Sequence, residues 1–170
     1  MNPSPNHSDC CVEQRMRNLK PVLDETDLSI LRFLQKDCQM PLGNLARKLG
    51  VPKSTLHYRI KRLERAGVIE GYYAKTSPLK LGYDYVAIVL VRARYGPHYH
   101  KRVGKKIAAI QGVWAVYYVL GEYDFIVLVR ALNREDYMNK LEQLIGMPDI
   151  ERTSTQIAAK VVKEDPRVGT

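Results

Sequence analysis

The sequence predicts an α+β protein, with an N-terminal winged or helix-turn-helix domain followed by a ferredoxin-like β-α-β-β-α-β domain. Two observations lead to this prediction. Apolar residues recur at helical spacing in three short segments of residues 24–66. Long β-branched apolar runs then alternate with helical segments through residues 84–163. We expect four parts: a mobile extension over residues 1–22, the helical domain over 23–76, a linker over 77–83 and the second domain over 84–165.

The three N-terminal helices have recognisable starts and ends. In LDETDLSILRFLQKD, Asp24 and Asp27 have the spacing of a capping box, which favours a helix N-terminus. The segment LGNLARKLG follows, and its Gly50 suits a left-handed helix end. Pro52 suits the first position of a third helix, so the intervening turn is that of a helix-turn-helix unit. The β-type residues of VIEGYYAKTS then predict a strand beside this unit.

The second half contains four predicted strands and two helices. In order they are DYVAIVLVRARY (84–95, strand), HYHKRVGKKIAAIQG (98–112, helix), VWAVYYVLGEYDFIVLVRAL (113–132, two strands), REDYMNKLEQLIG (134–146, helix) and TSTQIAAKVVK (153–163, strand). We expect these helical side chains to face the sheet: Val103, Ile107, Ile110, Tyr137, Leu141, Leu144 and Ile145.

The first strand of this domain is apolar on both faces. Val86, Ile88 and Leu90 alternate with Ala87, Val89 and Val91. Two helices on one side of the sheet cover only one of these faces, and a strand apolar on both sides is normally buried on both. The pattern therefore predicts that a second chain covers the other face, which makes the protein an obligate homo-oligomer.

Composition narrows the function classes. The 170 residues carry a formal net charge of +9, which indicates an anionic partner. The longest apolar run, YVAIVLV (85–91), is far shorter than the roughly 18 residues of a membrane span, and no signal-peptide core is present. The sequence has three cysteines, an odd number without a disulfide pairing pattern: Cys10, Cys11 and Cys38. They predict a reduced, cytoplasmic compartment.

The third helix has the composition of a DNA recognition helix. Leu56, Ile60 and Leu63 form an apolar stripe that anchors it, whereas polar and cationic side chains face away. Such a division places polar groups at base edges of double-stranded DNA and cations at phosphates. A solvated charged surface is the plain alternative. The predicted DNA-binding residues are Lys53, Ser54, Thr55, His57, Tyr58, Arg59, Lys61, Arg62 and Arg65.

These segments resemble a known family. LDETDLSILRFLQKD, LARKLGV and STLHYRIKRLERAGVIEGYYA are similar to the N-terminal domain of the Lrp/AsnC (feast/famine) transcription regulators, and VLGEYDFIVLV and ERTSTQIAAKVVKE are similar to their effector domain. The resemblance covers about residues 23–165. It implies a dimer, often assembled into tetramers or octamers, that binds promoter DNA and responds to amino acids. Pro52 and Leu120 depart from the family's usual Ser and Thr.

The resemblance also implies an effector site at the loop Gly121–Glu122–Tyr123–Asp124, although glycine and aspartate are equally good hairpin residues. An amino-acid ammonium would bind the carboxylate of Asp124, and its carboxylate would bind backbone N–H groups near Gly121 or the hydroxyls of Thr153 and Thr155. The two threonines alternate onto one strand face. Glu122 would match a basic ligand side chain, although an exposed carboxylate in a turn needs no such function.

Other readings remain. Some haem-biosynthesis decarboxylases resemble this architecture without acting on DNA, and Arg92, Arg94, His98, Tyr99 and His100 would then surround a tetrapyrrole. Such an enzyme has no use for a basic recognition helix. His98 and His100 alone do not make a metal site. The sequence has no nucleophile–base pair, no phosphate-binding glycine loop and no bulky amphipathic helix for a membrane surface. We expect no enzyme activity, cofactor, metal or membrane partner.

Overall fold

The computed structural model describes residues 21–169, which form two compact units. Residues 21–74 and 166–169 belong to the first unit, and residues 75–165 form the second. All but the last two residues of the predicted mobile extension lie outside the described range, as do Cys10 and Cys11. No helix of the described range is long and apolar enough to cross a membrane.

The first unit contains the three predicted helices: α1 (Glu25–Lys36), α2 (Leu42–Leu49) and α3 (Lys53–Arg65). The capping box of α1 is confirmed, since the Asp27 amide donates to Asp24 Oδ1 at 2.8 Å and the Asp24 amide donates to Asp27 Oδ2 at 3.2 Å. Gly50 ends α2 with φ +65°, a left-handed conformation that favours glycine. Pro52 is the N-cap of α3, one position before that predicted.

A small apolar core holds the three helices together. The buried side chains are Ile30, Leu31, Leu45, Ala46, Leu56, Ile60 and Leu63. The predicted stripe of α3 is therefore confirmed, because all three of its members are buried against the other two helices. At about 1.5–3 kcal/mol for each large side chain, this burial fixes how α3 lies on the domain.

The strand predicted in VIEGYYAKTS does not form. After α3 the Val68 and Ile69 amides both donate to the Leu63 carbonyl, at 3.0 and 3.2 Å, and residues 70–77 have no strand partner. A strand exists only by pairing, and the described part of the first unit contains no second strand. Tyr72 instead donates its hydroxyl to Glu64 at 3.1 Å. Burial, with this hydrogen bond, raises the pKa of Tyr72 to about 12.

The second unit begins with a 3-10 turn (Leu79–Leu81) and then has the predicted order of strands and helices. These are β1 (Tyr85–Ala93), α4 (Tyr99–Ala108), β2 (Val113–Tyr118), β3 (Phe125–Ala131), α5 (Arg134–Ile145) and β4 (Ile150–Ile157). The strands form one antiparallel sheet in the order β2-β3-β1-β4. The predicted α+β, ferredoxin-like fold class is confirmed.

The closing strand lies earlier than predicted. It spans Ile150–Ile157, whereas the β-type composition predicted 153–163. β4 pairs with β1, and the last bond between them joins the Ala158 amide to the Val86 carbonyl at 2.9 Å. In this register Ala159 lies opposite Tyr85, where β1 begins, so the residues after Ala159 have no strand of the described chain beside them.

Both helices lie on one face of this sheet. The core on that face is formed by Ala87, Val89, Val91, Ala93, Phe125, Val127, Val129 and Ala131 of the strands with Tyr99, Val103, Ile107, Ile110, Tyr137 and Leu144. The inward prediction is wrong for Ile145, which is exposed. At 100° per residue it lies about 80° around α5 from Tyr137, at the edge of the apolar stripe.

Neither helix of the second unit lies on the opposite face of its sheet. We call it the open sheet face, and its apolar members are Val86, Ile88, Leu90, Trp114, Tyr117, Ile126 and Leu128. Trp114 and Tyr117 are exposed, and most of the others are half-buried. The Arg130 guanidinium lies 4.7 Å above the Trp114 ring and pairs with Glu164, so this face also carries a cation.

Candidate DNA-binding helix and effector site

Helix α3 presents most of the predicted DNA-binding residues to solvent. The side chains of Lys53, Ser54, His57, Tyr58, Lys61, Arg62 and Arg65 are exposed, and those of Thr55 and Arg59 are half-buried. Tyr58 is the large aromatic of this surface, with 63% of its area exposed. The first two turns therefore offer hydroxyls and an imidazole, groups that reach base edges in a major groove.

The arginines of α3 have an internal partner that the sequence analysis missed. The Asp27 side chain of α1 is fully buried and accepts a hydrogen bond from Arg59 at 3.0 Å and a short one from Arg62. Arg59 also donates to Asp24 at 2.5 Å, and this hydrogen bond holds the pKa of Asp24 below its ordinary value. Two carboxylates and two guanidiniums thus form one network, the Asp27 network, that balances its own charge.

Because of this network, several cations of α3 are ion-paired within the first unit. The helical projection placed Arg62 on the outward face, but its guanidinium reaches across to α1 while the side chain stays 44% exposed. Lys61 pairs with Glu64 at 2.8 Å, and this contact lowers the pKa of Glu64. Within residues 21–169, Lys53 and Arg65 are the cations of α3 without an ion pair.

A signal for Asp27 was present in the sequence. Asp27 precedes Ile30 and Leu31 by three and four residues, so helical periodicity places it on the buried face of α1. A carboxylate on an apolar helix face needs a cation or several donors. Its partners are set by how α1 and α3 pack, which periodicity does not give.

The loop between β2 and β3 is fixed by the buried carboxylate of Asp124. Asp124 is 5% exposed and accepts from the Ala93 amide at 2.8 Å and from the Tyr99 hydroxyl at 2.9 Å. Its own amide donates to the Val91 carbonyl at 2.9 Å. A hydrogen bond with Tyr118, burial and the Asp124 carboxylate together raise the pKa of Tyr99. This carboxylate holds the loop to the ends of β1 and α4.

The two predicted threonines lie on one face of β4, as expected, and it is the helix-covered face. Thr153 is opposite Val91 and Thr155 is opposite Val89, both of which belong to the core. The Thr155 hydroxyl is hydrogen-bonded to the Tyr137 hydroxyl at 2.8 Å. The structure therefore does not bring Thr155 together with the exposed part of the loop.

The exposed part of the loop instead meets two arginines. The Glu122 carboxylate accepts from Arg152 at 2.7 Å, and its carbonyl accepts from Arg92 at 3.1 Å. The Arg152 guanidinium lies 5.3 Å above the Tyr123 ring, and Arg92 is 3.7 Å from Glu151. Arg92 and Arg152 are directly opposite each other in the β1–β4 register. Cross-strand register is a tertiary property, so the sequence pattern does not link either residue to the loop.

Three further observations describe these surfaces. Gly121 is exposed, and a side chain at that position would meet open space. In residues 21–169 no group of three or more histidine, cysteine, aspartate or glutamate side chains is placed to hold a metal ion. The Tyr99 ring packs against those of Tyr118 and His100. The His98–His100 segment thus contributes an aromatic contact at the start of α4.

Comparisons with known families cover both units. Residues 23–70 match the family model described as winged helix-turn-helix DNA-binding. Residues 86–168 match the Lrp/AsnC ligand binding domain. Among curated proteins, the HTH-type transcriptional regulator FL11 of Pyrococcus furiosus is 35% identical, over 86% of this chain and 95% of its own length.

Solved structures share the fold. An AsnC family transcriptional regulator from Agrobacterium tumefaciens superimposes with a TM-score of 0.81 at 24% identity, covering 86% of this chain and 97% of that one. The feast or famine regulatory protein from M. tuberculosis, complexed with L-methionine, gives a TM-score of 0.78 at 26% identity, covering 86% and 99%.

Proposed function

Because this chain belongs to the Lrp/AsnC family of transcriptional regulators and carries its ligand-binding domain, we propose that it reads specific duplex sequences through α3 and that a free amino acid changes its assembly or DNA affinity. The observation that carries the DNA part is the division of α3 into a buried apolar stripe and an exposed polar surface. The L-methionine complex of the M. tuberculosis relative supports an amino-acid effector.

The charge network refines the roles on α3. Lys53 and Arg65, which have no ion pair within the described range, contact phosphates, whereas Ser54, His57 and Tyr58 reach base edges. Arg59 and Arg62 hold the helix on the domain through Asp27. The basic recognition surface also favours a regulator over a haem-biosynthesis decarboxylase, which would leave this surface without a function.

Binding to duplex DNA tests this proposal. A pool of random duplexes is selected on the full chain, and selected and scrambled duplexes are then titrated at several salt concentrations. Arg65→Gln should weaken both and reduce the slope of log K against log salt by about 1. Tyr58→Ala should weaken the selected duplex by about tenfold and the scrambled one little.

Arg102→Gln, an exposed arginine change in the second unit, is the control for the lost charge. No duplex binding at low salt would overturn the regulator proposal and favour the decarboxylase alternative. Equal loss on both duplexes for Tyr58→Ala would show that Tyr58 does not read bases.

We also propose that a second copy of the chain covers the open sheet face. Its apolar side chains occupy three neighbouring strands, and burying them at about 25 cal/mol per Å² favours a dimer. Further assembly to a tetramer or octamer is what the family resemblance implies. Leu128→Glu should convert the protein to monomers in light scattering. Ile145→Glu is the matched control, because it places the same charge at an exposed apolar position on α5. Monomers in the unmutated protein at micromolar concentration would contradict the proposal.

A further inference from the structure

Helix α4 carries a concentration of positive charge in the second unit. Four of its side chains are cationic and exposed: Lys101, Arg102, Lys105 and Lys106. The Asp149 carboxylate lies beside two of them, and the Asp149 carbonyl accepts from the Arg94 amide at 2.9 Å. This hydrogen bond places Arg94, which is also exposed, at the same edge of the unit. We call the five cations, with Asp149, the α4 basic patch.

The net charge of the second unit lies entirely in this patch. Outside it, residues 75–165 contain nine lysines and arginines and nine aspartates and glutamates. The patch adds five cations and one carboxylate, a formal charge of +4. Asp149 accepts from Arg102 at 3.0 Å and from Lys106 at 2.8 Å. Within residues 21–169, Arg94, Lys101 and Lys105 have no ion pair.

The charge pattern of α4 differs from that of a helix whose polar face is simply solvated. In α5 acidic and basic side chains are mixed, and Lys140 forms an ion pair with the carboxylate one turn before it. In α4 the cations lie four residues from one another, a spacing at which like charges destabilise a helix. Asp149 bridges one such pair, but Lys101 and Lys105 are not compensated. The pattern therefore favours an anionic partner.

We propose that the α4 basic patch binds phosphates of double-stranded DNA outside the segment that α3 contacts. The inference rests on the proposed duplex binding and adds a second surface to it. Lys101 and Lys105 are one helical turn apart, about 6 Å along the axis, on the side of α4 opposite the buried Val103 and Ile107. Duplex DNA carries one charge per about 1.7 Å of its axis, so this row of lysines meets several phosphates.

The composition of the α4 surface favours a duplex over a lipid surface. A helix that binds a membrane needs bulky apolar side chains beside its cations. Between residues 101 and 109, the exposed residues other than the cations are Ala108 and Ala109, while Val103 and Ile107 are buried in the core. Contacts from lysine to phosphate carry no sequence information, so the patch adds affinity without adding sequence preference.

Duplexes of two lengths test the proposal on the full chain. One is a selected duplex just long enough to bind, and the other carries about two further helical turns, roughly 20 base pairs, of scrambled sequence at each end. The double variant Lys101→Gln with Lys105→Gln should bind the long duplex at least about tenfold more weakly at about 0.05 M salt, with the slope of log K against log salt reduced by about 2. It should bind the short duplex as the unmutated protein does. Lys101→Arg with Lys105→Arg keeps both charges and should retain the affinity and the slope.

Lys80→Gln with Lys160→Gln is the matched control, because it removes the same charge from two exposed lysines of the second unit outside the patch. Equal affinities and slopes of the two glutamine double variants on the long duplex would overturn the inference. The proposed function would still stand in that case if Arg65→Gln weakened binding to both duplexes. Equal losses on the short and long duplexes would also overturn the inference, since the patch would then not act on flanking phosphates.

Two further measurements distinguish other partners of the patch. Binding of phosphatidylserine vesicles that is lost in the Lys101→Gln, Lys105→Gln variant, with unchanged duplex binding, would assign the patch to a lipid surface and overturn the inference. A changed oligomeric state of this variant in light scattering would assign the two lysines to contact between copies instead. We expect neither, because the variant alters only exposed side chains that have no ion pair in the described chain.

Discussion

Two carboxylates are buried in the described chain, one in each unit, and they are stabilised in opposite ways. Asp27 of the first unit is compensated by charge, since Arg59 and Arg62 of the neighbouring helix both donate to it. Asp124 of the second unit is compensated by the neutral donors of Ala93 and Tyr99. A buried carboxylate needs either cationic partners or neutral hydrogen-bond donors, because burial without them costs several kcal/mol.

The difference shows what each carboxylate does. The Asp27 network is open to solvent on the side of its arginines, so it joins α1 to α3 by groups that also belong to the helix proposed to bind DNA. The Asp124 site is closed, and its donors come from the end of β1 and the start of α4. The first arrangement uses two arginines of α3 to hold that helix against α1, whereas the second holds the β2–β3 loop in place.

Loss of the buried Asp124 carboxylate should have a larger effect on stability than loss of Asp27. Asp124→Ala leaves the buried Ala93 amide without its acceptor and the Tyr99 hydroxyl with only the longer, 3.3 Å hydrogen bond to the Tyr118 hydroxyl. An unsatisfied buried donor costs about 1–3 kcal/mol, so we expect the free energy of unfolding of the second unit to fall by about 3 kcal/mol. Fluorescence of Trp114 in urea measures this unit alone, because it is the only tryptophan of the chain. Asp84→Ala, an exposed carboxylate before β1, is the control. A loss below about 0.5 kcal/mol would contradict the anchoring role.

Loss of the charge-compensated site should cost less stability and change DNA binding. Asp27→Asn keeps an acceptor for the capping box, releases Arg62 and leaves Arg59 with Asp24 as its carboxylate partner. We expect about 2 kcal/mol of destabilisation, because the partly exposed guanidiniums regain water. The released Arg62 becomes available to phosphates, so the salt slope for scrambled duplexes should steepen by about 1 and the preference for selected duplexes should fall.

The matched control for this change is Glu25→Gln, which removes the same charge from the same helix without a contact to α3. An unchanged slope in Asp27→Asn, equal to that of Glu25→Gln, would show that Asp27 does not restrain the arginines.

The smallest expected effect is on the pH dependence of the two units. The hydrogen bond from Arg59 holds the pKa of Asp24 below its ordinary value of 3.8, so its stabilising effect is complete above that pH and is lost as the pH falls further. The hydrogen bond with Tyr118 and burial raise the pKa of Tyr99 above 10.0, so its effect is complete below pH 10 and is lost as the pH rises.

Unfolding followed across pH should separate these windows. Helix circular dichroism should show an acid-side loss that Asp24→Asn reduces, and Trp114 fluorescence should show an alkaline-side loss that Tyr99→Phe reduces. The opposite assignment, with Asp24→Asn altering only the alkaline limb, would contradict the difference between the two networks.

Patterns with a fixed period were the most predictable part of this chain. Strand and helix order, the apolar stripe of α3 and the capping box of α1 were all predicted, because each depends on residues a few positions apart. The prediction of a strand in VIEGYYAKTS was wrong, because a strand also needs a partner that local composition does not reveal. Its composition favours a strand, but no partner strand lies beside it in the described part of the first unit.

The sequence by itself determined the α+β fold class, the exposed polar surface of α3 and the loop before Asp124, since local periodicity and turn chemistry are written in neighbouring residues. Only the tertiary structure decided which charges meet. Asp27 and Arg62 lie 35 positions apart and Arg92 and Arg152 lie 60 apart, yet helix packing joins the first pair and strand register the second. Charge interactions fall off within a few ångströms in water, so their partners depend on the fold that brings them together.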